Sequence, residues 1–216
     1  MAYDLEEQEQ LATLKAVWKQ YGNLVTWIVI IALVGYAAWS QWNNYQNNQA
    51  GQASQLYEEL LKSVSDKDAS KILRTTTDLK EKFPSTAYAS MGAFVTAKAF
   101  FDSGDLKSAK SQLQWIIDSG KSDEYKALAK LRLAGLLLDD KSYDDALKQL
   151  TGEFPAELQV QVEDRKGDVY VALGKVTEAR KSYQAAIDKM TDKDPIKQLV
   201  QLKLDAIGGG IEPASK

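Results

Sequence analysis

Gly167-Asp-Val-Tyr-Val-Ala-Leu-Gly-Lys-Val-Thr-Glu-Ala-Arg-Lys-Ser-Tyr-Gln-Ala-Ala-Ile187 is the stretch that decides the fold. It reads as two helices joined at a glycine. Small Gly167 sits on the first helix with Tyr170 above it, and Gly174 ends that helix. Ala179 stands where the return helix crosses closest, with Tyr183 and Ala186 along its inner face. Small residues permit the close crossing, and large ones fill the gaps between neighbouring hairpins.

The same grammar occurs twice upstream. Ala97, Phe100, Gly104, Leu106, Ala109 and Leu113 fill the corresponding places in one copy, and Ala134, Leu137, Lys141, Tyr143, Ala146 and Leu150 in the other. The crossing alanines Ala109, Ala146 and Ala179 are 37 and 33 residues apart. That spacing is close to the roughly 34-residue period of tetratricopeptide helix hairpins. Alternating strand patterns are absent. Residues 52–65 and 69–82 read as another hairpin, closed by Phe83-Pro84, with Asp68 as N-cap. Downstream, Asp194-Pro195 starts a last helix, whose mainly apolar face carries Ile196, Leu199, Val200, Lys203 and Ile207. That face suits closing the end of a solenoid. Residues 208–216 read as a flexible tail, and Gly208-Gly-Gly210 lacks the lysine-serine pair of a phosphate loop.

Ahead of the repeats lies a stretch of another kind. No charged side chain occurs between Lys19 and Glu58. Residues 21–42 as a helix extend roughly 30 Å, the thickness of a bilayer's hydrocarbon core. Four of the five tryptophans fall around this run: Trp18 before it, Trp27 within it, Trp39 and Trp42 at its far end. Aromatic rings at both ends match the interfacial belts of membrane helices, and Trp27, Trp39 and Trp42 are the expected anchors. A cleaved signal peptide fits less well, because the start is long and acidic. A buried core helix lacks a matching apolar partner elsewhere in the chain. Lys15 and Lys19 precede the segment and the first basic residue after it is Lys62, which places the N-terminus in the cytoplasm and the body outside. Leu11, Leu14, Trp18 and Tyr21 share one apolar face, read here as a continuation of the membrane helix rather than a separate contact surface.

The expected class is therefore all-α, one N-terminal transmembrane helix followed by an α-solenoid of tetratricopeptide-like hairpins. Its parts are a cytoplasmic segment over 1–23, a transmembrane helix over 24–42, a linker and start of the first helix over 43–55, the repeat domain over 56–207 and the tail over 208–216.

The chemistry left open is narrow. With 27 basic and 30 acidic residues and a net charge of -3, no basic field exists for nucleic acid. Histidine and cysteine are both absent. Zinc sites of the usual kind, thiol nucleophiles and histidine acid–base catalysis go with them. The pairs Asp139-Asp140 and Asp144-Asp145 flank a turn, where capping and solvation account for them better than a cation does. No catalytic, cofactor or metal site is expected. Recognition is the better prospect, because stacked hairpins expose the first helix of each pair on a concave face. That face offers Met91, Phe94, Lys98 and Phe101, then Leu128, Leu131 and Leu138, then Gln161, Asp164 and Asp168. These residues suit an apolar segment or partner helix, unless several are buried between neighbouring hairpins.

The approach to the membrane, Leu5-Glu-Glu-Gln-Glu-Gln-Leu-Ala-Thr-Leu-Lys-Ala-Val-Trp-Lys-Gln-Tyr-Gly22, leads into an anchor ending Trp39-Ser-Gln-Trp42. Joined to degenerate repeats, it resembles the YfgM family, ancillary subunits of the bacterial SecYEG translocon. The resemblance implies a single-pass inner-membrane protein with a periplasmic helical-repeat body. It implies as partners the translocon, the membrane-anchored prolyl-isomerase-type chaperone PpiD, exported client proteins and the stress regulator RcsB. It brings no catalytic residues. A cytosolic repeat receptor for targeting peptides and a homo-oligomeric tether are the other classes compatible with the residues alone.

Overall fold

A computed structural model describes residues 2–208, and every regular element among them is helical. The chain divides into two compact units, Met1–Gln49 and Ala50–Lys216.

Helix α1, Ala2–Ser65, runs 64 residues without a break. No proline interrupts it, and its glycines are isolated single residues that a long helix tolerates. The polar stretch 43–55, expected as linker and start of the first helix, is helical throughout. Within α1 the segment Trp18–Ser65 contains a window long and apolar enough to cross a bilayer. Over residues 24–42 the large side chains are exposed around the whole circumference, with Trp27 at 59% and Trp39 and Trp42 at 63%. A core helix buries its apolar stripe; a helix that is apolar and exposed on every side suits lipid. The far end carries two ring pairs, Tyr36 with Trp39 and Trp42 with Tyr45.

Among the described residues the second unit holds the end of α1 and eight further helices: α2 (Ala69–Lys82), α3 (Ala87–Asp102), α4 (Leu106–Ser119), α5 (Asp123–Asp139), α6 (Tyr143–Gln149), α7 (Gln159–Ala172), α8 (Val176–Asp188) and α9 (Lys197–Ala206). A short 3-10 turn, Ala156–Leu158, leads into α7. Helices α3 and α4, α5 and α6, and α7 and α8 are the three expected hairpins. Their crossing alanines Ala109, Ala146 and Ala179 are fully buried.

One turn design closes all four hairpins. Lys67, Gly104, Lys141 and Gly174 each take a left-handed φ, between 56° and 83°. The next residue's N–H donates to the carbonyl five residues back: Asp68 to Ser63, Asp105 to Phe100, Ser142 to Leu137 and Lys175 to Tyr170, at 2.8–3.1 Å. This closure satisfies carbonyls that a helix end otherwise leaves bare. Asp68 and Asp105 then cap the return helices, accepting from the N–H of Lys71 and Ser108 at 3.0 Å.

The last helix differs from expectation. It begins at Lys197, because Asp194 closes a turn first: its carboxylate accepts from the Thr191 N–H and its carbonyl from the Lys197 N–H. Pro195 lies in that turn. The buried face consequently carries Val200 and Leu204, packed with Tyr183 and Met190, whereas Ile196 and Leu199 are exposed. The expected tail lies, beyond Gly208, outside the described residues.

Candidate partner-binding groove

The first helices of the hairpins line an open groove of about 920 Å³ within the second unit. The end of α1 contributes Tyr57 and Val64, and α3 contributes Met91, Phe94, Val95, Lys98, Phe101 and Asp102. Helix α5 adds Leu128, Leu131, Arg132, Gly135 and Asp139, and α7 closes the lining with Gln161, Asp164 and Arg165. On α3 the positions 91, 94, 98 and 101 recur at three- and four-residue spacing, so one face serves the groove while the opposite face packs the core.

Of the expected recognition residues, the structure brings Met91, Phe94, Lys98, Phe101, Leu128, Leu131, Gln161 and Asp164 together here. They do not share one character. Phe94 is only 8% exposed, edge-on to Tyr125, and Leu128 packs against the same core. Phe101 is the open apolar surface, 41% exposed. Lys98 is held by Asp102 one turn on. Leu138 does not line the groove; it packs with Ala134, Ala146 and Leu150 of its own hairpin and Val169 of the next. Asp168 is also absent from the lining. It accepts the Tyr183 hydroxyl at 2.8 Å and pairs with Lys203 at 2.8 Å. Lys203 holds Asp164 as well, at 2.7 Å, so one side chain of the closing helix α9 bridges both carboxylates.

Two arginines complete the groove and were missed among the expected residues. The Arg132 guanidinium lies 4.7 Å from the centre of the Phe94 ring, and burial lowers its pKa. Arg165 reaches from α7 to α5, its Cζ 3.7 Å from where a Cβ on Gly135 would lie. Its Nε is buried without a hydrogen-bond partner, and its ion pair with Asp168 spans 3.7 Å. Arg132 does share the helical face of Leu128 and Gly135, and Arg165 follows Asp164 directly; those spacings were the available signal.

The acidic pairs at the α5–α6 turn serve ordinary ends. Asp140 meets Lys110 at 2.6 Å and Asp145 meets Lys148 at 2.8 Å. Among the described residues, no group of three or more carboxylates is placed to hold a metal. What the groove can do is bury an apolar segment on Phe101 and Met91 and meet charge at its α5–α7 end.

A family model described as a tetratricopeptide repeat-like domain matches residues 15–209. The chain is 31% identical over 208 residues to the ancillary SecYEG translocon subunit of Neisseria gonorrhoeae, covering 96% of this chain and 100% of that relative. It is 25% identical over 205 residues to the protein of the same name from Haemophilus influenzae, covering 95% of this chain and 99% of the relative. With that from Aggregatibacter actinomycetemcomitans the identity is 26% over 205 residues, with the same coverage of 95% and 99%.

Proposed function

Because the chain belongs to the YfgM family of ancillary SecYEG translocon subunits, we propose that it is a non-enzymatic inner-membrane adaptor linking exported proteins to periplasmic chaperones. The observation that carries this reading is the groove. An apolar recognition surface on the repeat domain belongs to the same chain as an exposed apolar helix, so what the groove holds is held at a membrane. The helix, about residues 24–42, docks beside the translocon. Residues 1–23 face the cytoplasm, as Lys15 and Lys19 favour, and the repeat domain over 56–207 faces the periplasm. There the groove engages a membrane-anchored chaperone of the prolyl-isomerase type, PpiD, or an emerging client. RcsB belongs to the same proposal as a regulatory link.

Two measurements test it. Purification of the full chain from detergent-solubilised membranes is expected to bring down translocon subunits, and recovery of none overturns the association. A C-terminal alkaline phosphatase fusion is expected to be active, since that enzyme matures only after export. An inactive fusion made at normal levels places the repeat domain in the cytosol and ends the periplasmic reading.

A further inference from the structure

Beyond its apolar run, α1 passes through ten residues of another composition, Asn43-Asn-Tyr-Gln-Asn-Asn-Gln-Ala-Gly-Gln52. The usual supports of a long helix are missing from them. They carry no charged side chain, so no ion pair ties one turn to the next. Asn43, Asn44, Tyr45, Asn47, Asn48 and Gly51 are exposed, and the core of the repeat domain takes its first residue from α1 at Ala53. A Cβ at Gly51 would meet nothing within 4 Å.

The residues themselves are poor helix formers. Opening a stretch inside a helix costs one nucleation factor, about a thousandfold, while alanine propagates a helix at near balance. Eight of the ten residues are each about twofold poorer than alanine and glycine is about fivefold poorer, which multiplies to about a thousandfold toward opening. The two factors cancel, so helix and open chain are both populated. The neighbours confine the opening. On the side of Trp42, hydrocarbon forbids it, because a freed N–H or C=O finds no partner there. On the other side Ala53, Leu60 and Ser63 are fully buried.

We propose that residues 43–52 are a swivel: the stretch exchanges between helix and open chain, freeing the repeat domain to turn and extend on its anchor. This rests on the reading of residues 24–42 as lipid-embedded. Ten residues advance about 15 Å as a helix and about 33 Å extended, so opening lengthens the tether by about 18 Å. It also shields the groove. Tyr57 and Val64 of α1 belong to the groove wall, and an unbroken helix would pass every tilt of the anchor into that wall.

The absence of cysteine makes the test direct. Spin labels on Gln41→Cys and Gln55→Cys, in the full chain in lipid nanodiscs, stand about 21 Å apart if α1 is helical throughout. The expected result is a distance distribution with a second, broad population beyond that peak. The pair Leu24→Cys and Ala38→Cys, at the same spacing, should give the single narrow peak. Asn43→Ala, Asn44→Ala, Asn47→Ala, Asn48→Ala and Gly51→Ala together should lower the open population about eightyfold and leave only the helical peak. A single narrow peak from the first pair overturns the inference, and so does a broad population that the alanines do not remove. A label on Ile31→Cys checks the membrane reading separately. If a water-soluble nickel complex relaxes it as fast as the label on Gln55→Cys, residues 24–42 are not in lipid, and that reading fails together with the inference.

Discussion

Tyr183 occupies the space in which a side chain at Gly167 would begin. A Cβ at 167 would lie 2.8 Å from Tyr183 Cζ and closer still to Cδ1 and Cε1. The ring is 2% exposed and has nowhere to go. Gly167→Ala is therefore expected to cost about 3 kcal/mol, the upper end for overpacking a core. In a Tyr183→Ala background the same change should become neutral or stabilising by up to ~1 kcal/mol, because alanine is the better helix former. Denaturant unfolding of the four proteins in the cycle reads this directly, and additive effects would mean that the two residues do not meet.

The hydroxyl of the same tyrosine gives a pH signature. Burial first, then the hydrogen bond to Asp168 and its charge, raise the Tyr183 pKa above the ordinary tyrosine value. A group with a raised folded-state pKa contributes stability in full below the unfolded value, about 10, and loses it as pH climbs beyond. The repeat domain should lose stability above that pH more steeply than the Tyr183→Phe variant does. Urea midpoints taken across the alkaline range check it; parallel curves for the two proteins would remove Tyr183 as the cause.

The turns make opposite predictions at equivalent positions. Gly174 and Lys141 both adopt left-handed φ, 70° and 60°, but only glycine does so without a Cβ penalty. Gly174→Ala should destabilise by about 1 kcal/mol. Lys141→Gly should be neutral or stabilising by up to ~1 kcal/mol, despite the unfolded-chain entropy glycine adds. Thermal melts should fall for Gly174→Ala and hold or rise for Lys141→Gly; equal losses in both would mean the left-handed φ is not what sets the cost.

The hairpins were legible because their alanines and glycines are local and periodic, and a 3.6-residue repeat places Met91, Phe94, Lys98 and Phe101 on one face without further information. Lys67 shows where such reading stops. It closes the first hairpin as Gly104 closes the second, yet a lysine in a left-handed turn carries no mark in the sequence. The acids show a second limit. Asp164 and Asp168 were expected on the open concave face, but Lys203, from a helix more than thirty residues on, already holds both. Leu138 fails for a related reason, since only the packing of α6 and α7 against α5 decides which leucines stay open. Arg132 and Arg165 stayed hidden because charged positions are ordinarily a solvated face, and Arg165 reaches α5 only because Gly135 leaves room between helices.

A buried hydroxyl pair offers an asymmetric test of the α2–α3 contact. Thr76 donates to the Ile72 carbonyl at 2.8 Å, so the hydrogen bond joining Thr76 and Thr96 uses the Thr96 proton. Both residues are at most 1% exposed. Thr76→Val leaves the Thr96 hydroxyl without its acceptor and should cost about 1–3 kcal/mol. Thr96→Val leaves Thr76 still bonded to Ile72 and should cost less, about 1 kcal/mol or below. The double variant should be more stable than Thr76→Val alone. If Thr96→Val proves the worse single change, the proton runs the other way.

The apolar helix makes the last prediction. Ile31 and Val34 sit one turn apart near the middle of the apolar stretch 24–42, 67% and 62% exposed. A side chain exposed to water tolerates arginine, whereas one facing hydrocarbon does not. Each arginine at the centre of a spanning helix costs about 2.5–3.5 kcal/mol on the insertion scale. Ile31→Arg with Val34→Arg should therefore move the protein from the carbonate-resistant membrane fraction to the soluble one. Arginine at Asn44, past Trp39 and Trp42 where headgroups and water begin, should leave it integrated. If the central pair is tolerated as well as the distal one, the segment does not span. The repeat domain would then need another route to the membrane.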